Sequence, residues 1–139
     1  MLLVIDSNEY ILAFGPYKEK YPKLLLDVIV EKYPLHRIRI PRLTINEVRT
    51  NISPGLYQEF ITFILSLTFI DEDFLIPFEL GAKYEAKGLK PADALIAAYT
   101  EWSGADVLVT ENRHFLSRHR AVPFKVLTAH NCYKLLTST

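Results

Sequence analysis

Short apolar runs set between helical stretches constrain this chain most. Leu2–Asp6, His36–Ile40, Leu67–Ile70, Val107–Thr110 and Phe124–Leu127 each span only four or five residues. Runs of that length, rich in β-branched and aliphatic side chains, read as strands buried in a sheet. Between them the period changes to that of a helix. Lys18–Tyr33 carries Leu24, Leu25, Val28 and Ile29 on one helical face. Pro91–Trp102 has proline in its first turn, then Ala94, Leu95, Ala97 and Ala98, and Gly104 closes it. Further helices are expected from Ser7 or Asn8 to the Gly15-Pro16 pair, and over Thr44–Asn51, Leu56–Leu65, Asp73–Lys87 and Ala129–Leu136. Strands alternating with helices predict an α/β fold with a mainly parallel sheet. Right-handed crossovers then place helices on both faces, and a ligand binds beyond the carboxyl ends of the strands.

At 139 residues, half of them hydrophobic, the chain predicts one domain over 1–139. Sixteen Lys and Arg balance sixteen Asp and Glu, which excludes a wholly basic nucleic-acid binder. Cys132 is the single cysteine, so neither a disulfide framework nor a cysteine-rich zinc site is possible, and a reducing, cytoplasmic setting is expected. The start, with Asp6 and Glu9 inside its apolar run, does not read as a targeting segment. Phe60–Ile70 is interrupted by Thr62, Ser66 and Thr68 and is short of the ~20 residues a membrane span needs.

Several chemistries lack their motifs. GxGxxG, GxxxxGK[ST] and GxSxG are absent, His36, His114, His119 and His130 have no HExxH spacing, and His114 and His119, five apart in a charged stretch, read as surface or RNA-facing rather than as zinc ligands. What remains is acids in particular places. Asp6 closes the first strand, where it could also cap the next helix. Glu47 ends Thr44-Ile45-Asn46-Glu47, which also reads as a capping box. Asp93 lies in the first turn of the Pro91 helix, where the helix dipole favours a carboxylate. Thr110-Glu111-Asn112 leads out of the fourth strand. Each has an ordinary structural explanation. Taken together they all fall at a strand's carboxyl end or a helix's amino end, on one edge of the sheet. Carboxylates gathered there repel one another unless a cation intervenes, and oxygen-only ligands select Mg²⁺ or Mn²⁺.

Val4-Ile5-Asp6-Ser7-Asn8, Leu43-Thr44-Ile45-Asn46-Glu47-Val48, Gly88 to Ala98 and Leu108 to Phe115, in that order, resemble the motifs of a PIN domain, in particular of VapC-type toxins. Leu89-Lys90-Pro91-Ala92-Asp93-Ala94-Leu95-Ile96-Ala97-Ala98 is the most specific of them. The resemblance implies a parallel sheet in the order 3-2-1-4-5. It implies a Mg²⁺-dependent endoribonuclease (Mn²⁺ able to substitute) whose metal-binding acids are Asp6, Glu47 and Asp93. Ser7, Asn8 and Thr110 stand beside them as supporting positions, and products would carry 5′-phosphate and 3′-hydroxyl ends. It also implies a homodimer and a cognate antitoxin. Tyr10, Ile11, Phe14, Leu24 and Tyr33 are read as core, or as such a docking face where they are not buried.

The chain departs from the commonest pattern at the fourth site position, where Asn112 stands two residues after Thr110 in place of Asp. His114 replaces a frequent Asp, and Lys90 a frequent Ser or Thr. Strand alternation predicts Asn112 inward and catalytic, with Glu111 facing solvent, though Glu111 is the alternative fourth ligand. RNA contact is expected from Arg42 and Arg49, in the 36–50 segment of charge +3, and from Arg113 and Arg118, in the 113–125 segment of charge +4. The alternatives are a PIN-like protein that binds RNA or a partner without cutting, and a receiver-like phosphoacceptor domain. The latter expects adjacent early acids, whereas Asp6 has no acidic neighbour before Glu9.

Overall fold

The computed structural model describes residues 1–112, 115 and 121–138. Five parallel strands form one sheet in the order β3-β2-β1-β4-β5. They are β1 (Leu2–Ile5), β2 (Arg37–Pro41), β3 (Thr68–Asp71), β4 (Val107–Val109) and β5 (Lys125–Leu127). Seven helices lie among the described residues: α1 (Ser7–Phe14), α2 (Lys20–Glu31), α3 (Arg42–Asn51), α4 (Pro54–Leu67), α5 (Phe78–Ala86), α6 (Pro91–Trp102) and α7 (Ala129–Thr137). None of them is long and apolar enough to cross a membrane.

Strand alternation divides the core. Leu3, Ile5, Ile38, Ile40, Val107 and Val109 face one layer, built from α1, α2, α3, α4 and α7 around Tyr10, Leu25, Ile29, Phe60, Ile64 and Cys132. Val4, Leu108 and Val126 face the other, where α5 and α6 contribute Tyr84, Ala94, Ala97, Ala98 and Tyr99. The alanines of α6 let its backbone lie close over the central strands, which fixes where its amino end falls. Of the apolar residues expected in the core, Tyr10 is fully buried, while Tyr33 is half exposed.

Two helices differ from the sequence expectation. α3 begins at Arg42, not Thr44, and its N-cap residue is Pro41, which offers no side-chain acceptor. Thr44 is therefore inside the helix, and the capping box with Glu47 does not form. The cap comes from elsewhere: the Leu43 N–H donates to Asp73 Oδ1 at 3.0 Å, and Arg42 pairs with Glu72 at 2.9 Å. Asp73→Ala should therefore cost about 1 kcal/mol of stability, read by urea unfolding, as for a lost cap. The second difference lies in Asp73–Lys87, expected as one helix. It breaks into a 3-10 turn at Asp73–Leu75 and α5, because Pro77 holds the preceding Ile76 extended (ψ 123°).

Candidate active site

The site forms at the carboxyl edge of the sheet, where β1 ends and α3 and α6 begin. Asp6 follows β1, and its backbone N–H is tied to Val109 O of β4 at 2.9 Å. Its side chain does cap α1: Oδ1 accepts from the Ser7 N–H at 2.8 Å. The other oxygen faces β4, where Oδ2 accepts from Thr110 Oγ1 at 2.9 Å. Thr110 is fully buried, and its hydroxyl also accepts from the Asn112 N–H at 3.1 Å. One threonine thus holds both the first acid and the turn after β4.

Glu47 comes from the second turn of α3, in the same core layer as α1. The Ser7 hydroxyl donates to its Oε2 at 3.1 Å. Asp93 comes from the first turn of α6, in the opposite layer, and Asn112 Nδ2 donates to its Oδ2 at 3.3 Å. Ser7 and Thr110, two of the positions expected beside the acids, thus hydrogen-bond to Glu47 and Asp6. Asn8 is exposed, and its side chain makes no hydrogen bond among the described residues. Glu111 is exposed, but its carboxylate is not free in solvent: Oε2 accepts from the Ala129 N–H at the start of α7, at 2.8 Å.

The electrostatics of the acids match their crowding. Burial pushes the Asp6 carboxyl above its usual range, the Asp93 charge adds to this, and the bonds from Thr110 and Ser7 oppose it. Glu47 is pushed up by burial and by the charges of Asp6 and Asp93, against the Ser7 bond. No ion pair among the described residues includes Asp6, Glu47 or Asp93. Three mutually repelling carboxylates with no basic partner among the described residues are a donor set suited to a hard divalent cation. Among the described residues no three acidic, histidine or cysteine side chains are already gathered into a chelating group. An ion here would draw the carboxylates inward or reach some of them through water.

The arginines expected to meet RNA divide. Arg42 is engaged by Glu72, and Arg49 is exposed in the last turn of α3. Two residues after Glu47, Arg49 stands about 200° around the helix from it, so it points away from the acids. Arg113, Arg118, His114 and His119 lie outside the described residues.

Two buried acids escaped the sequence reading. Glu9 is 1% exposed, on the α1 face that also buries Tyr10 and Ala13. No local signal marks it, since an acid in the first turn of a helix ordinarily lies at the surface. Asp71 ends β3 and is 3% exposed. Its carboxylate takes two bonds from Arg39, at 2.7 and 2.9 Å, and one from the Tyr99 hydroxyl.

No protein-family model and no curated protein sequence matches the chain. Solved structures do. The chain is similar to VapBC2 from Rickettsia felis, solved bound to a DNA fragment from their promoter, with a TM-score of 0.62 and 22% identity over 91% of this chain and 97% of that one. It is similar also to FitAcB from Neisseria gonorrhoeae, with a TM-score of 0.63 and 14% identity over 92% of this chain and 98% of that one. The fold is that of a PIN domain. Its 3-2-1-4-5 sheet is the order that the sequence motifs imply. In this PIN fold the acids come from the end of β1, from α3 and from α6, and the turn after β4 closes the group through Asn112.

Proposed function

We propose that the protein is a metal-dependent endoribonuclease that hydrolyses RNA phosphodiesters, and that it serves as the toxin of a toxin–antitoxin pair. The observation that carries this reading is the meeting of Asp6, Glu47 and Asp93 at one sheet edge with no cationic partner among the described residues. These three would hold Mg²⁺, or Mn²⁺ in its place. The ion would supply charge against the phosphoryl oxygens and acidify an attacking water.

The chain's own residues do the positioning. Ser7 holds Asp6 through its amide and Glu47 through its hydroxyl, which fixes the distance between those two acids. Thr110 orients the second oxygen of Asp6 and sets the turn that brings Asn112 to Asp93. Asn112 adds no charge, so it orients Asp93 or a water. Arg113 and Arg118, with Arg42 once released from Glu72, are the candidates for phosphate contact beside the acids, and Arg49, on the other side of α3, for phosphates further along the RNA. A cognate antitoxin, a homodimer and a cytoplasmic location complete the reading, supported by the resemblance to VapC-type toxins and by the likeness to VapBC2 and FitAcB. A PIN-like protein that binds RNA or a partner without cutting is the second reading, favoured by the neutral Asn112 at the fourth position.

Incubation with mixed tRNA, rRNA and mRNA separates the two. Cleavage should require Mg²⁺ or Mn²⁺ and leave 5′-phosphate ends. Titration of the RNA-free protein with Mn²⁺ should release heat and raise the melting temperature, since the ion binds only the folded state. Because Asp6 and Glu47 retain protons above their ordinary range, Mn²⁺ has to displace them, and its affinity should rise with pH. Neither heat nor thermal shift would remove the metal site, and binding without cleavage would leave the second reading.

A further inference from the structure

Lys90 is the N-cap residue of α6, the helix that carries Asp93 in its first turn. It is a poor residue for that place. Its backbone has the extended conformation of a cap (φ −66°, ψ 156°), but its side chain has no oxygen to offer, and no side-chain bond caps the helix. Pro91 follows without an N–H, and the Ala94 N–H donates to Lys90 O at 2.8 Å, which starts the helix. The cap therefore offers nothing to the amides of Ala92 and Asp93. A cation here also meets the positive end of the helix dipole. Serine, threonine or aspartate would remove both disadvantages. A residue that breaks two local rules at once is expected where function needs it.

The turn before Lys90 is fixed. Gly88 takes the left-handed conformation (φ 95°), its N–H donates to Glu85 O at 2.9 Å, the Leu89 N–H donates to Tyr84 O at 3.3 Å, and the Leu89 side chain packs against the α6 layer. Lys90 thus stands at a defined point and is exposed, with no ion pair among the described residues. The cations around it are engaged. Lys83 pairs with Glu101 at 3.0 Å, and Lys87 donates to Ala121 O at 3.0 Å and lies 5.3 Å from the Tyr84 ring centroid. Across the site, Arg42 is held by Glu72. An N-cap residue and the third residue of its helix share one surface, so Lys90 and Asp93 are neighbours, yet they form no ion pair. The ammonium is left for something outside the chain.

We propose that Lys90 is a substrate-binding residue: its ammonium takes a backbone phosphate of the RNA next to the phosphate held at the acids. Three carboxylates repel an RNA backbone, so a cation standing one turn from Asp93 and not spent on it offsets that repulsion where the strand passes. A lysine is a point charge on a flexible stem, which suits a phosphate and carries no sequence preference. The inference rests on the nuclease reading for its substrate.

Three substitutions separate charge from cap. Lys90→Thr removes the charge and supplies a cap, Lys90→Gln removes the charge alone, and Lys90→Arg keeps it. Lys90→Thr should melt roughly 2–5 °C higher than wild type. Its KM for RNA should rise about tenfold, as for one lost hydrogen bond to a charged group, with kcat unchanged. Lys90→Gln should show the same KM without the gain in melting temperature, and Lys90→Arg should restore most of the loss. Binding is read apart from cleavage in Asp93→Asn protein, by the anisotropy of labelled single-stranded RNA across a salt series. Adding Lys90→Thr should flatten the slope of log affinity against log salt by about 0.7, the share of one phosphate. A wild-type KM and salt slope in both Lys90→Thr and Lys90→Gln overturns the proposal. So does a loss confined to kcat, which would make Lys90 act on the acids, or a lower melting temperature in both variants, which would make it structural. If the wild-type protein cuts no RNA, the nuclease reading falls while the salt slope still decides Lys90. A protein that neither cuts nor binds RNA overturns both.

Discussion

Asp93→Asn is expected to abolish RNA cleavage and to leave the metal-free protein as stable as wild type or more stable. Two local terms oppose each other. The carboxylate in the first turn of α6 interacts favourably with the helix amino end, by about 0.3–1 kcal/mol. Its charge also raises the carboxyls of Asp6 and Glu47, which is a repulsion stored in the folded state. Asparagine keeps an oxygen for Asn112 Nδ2, has the size of aspartate and removes the repulsion. A gain of roughly 0.5–2 kcal/mol is the size seen where a residue serves function at the expense of stability. Urea unfolding without metal, beside end-labelled RNA cleavage with Mg²⁺, gives both numbers. A variant clearly less stable than wild type would make Asp93 a structural residue of α6, and an active one would remove it from the metal site.

The largest loss of stability is expected away from the site, at Asp71. Asp71→Ala leaves Arg39 and the Tyr99 hydroxyl without the acceptor they share. Breaking a buried pair from one side costs about 3–5 kcal/mol when both charges are enclosed. Here the acid is 3% exposed but the Arg39 side chain is 27% exposed, so solvent recovers part of the cost. About 2–4 kcal/mol is expected, measured as a shift in the urea midpoint with an unchanged slope. Arg39 also lies over the rings of Phe69 and Trp102, 5.0 and 5.3 Å from their centroids, which keeps it in place after the acid is gone. Arg39→Met in the Asp71→Ala background should therefore recover part of the loss. No recovery would mean that the pair is not what stabilises this edge.

Asp71 and Asp6 both end a strand, yet only Asp6 could be singled out from sequence. What distinguishes them is the element facing each one. Asp6 meets Ser7, Thr110 and other acids, whereas Asp71 meets an arginine of the neighbouring strand β2, 32 residues earlier in the chain, and a tyrosine from α6. Local patterning carried the strands well, because short runs of aliphatic and β-branched residues between helical stretches leave few other options, and it carried α6, whose Pro91 and Gly104 mark its ends. It failed at α3, where the sequence offers a cap at Thr44 but the real acceptor, Asp73, arrives from a loop 30 residues on. It also failed at Glu9, since a carboxyl in the first turn of a helix has an ordinary place at the surface. Only the return of Glu111 and α7 over that turn encloses it. Alternation offered no way to see the bond from Ala129 that draws Glu111 back to the protein.

The two-layer core has a consequence for how the protein is made. Asp6 and Glu47 are carried by the layer of α1 and α3, and Asp93 by the layer of α6 on the other side of the sheet. Neither layer holds all three acids, and the turn that joins them leaves β4, which pairs with β1 only after most of the chain exists. A growing polypeptide still short of residue 112 therefore has no complete site, however well its first half has folded. For a protein that would cut RNA, synthesised on a ribosome and from a message that are both RNA, that order of assembly delays the first possible cut until nearly the whole chain has been translated.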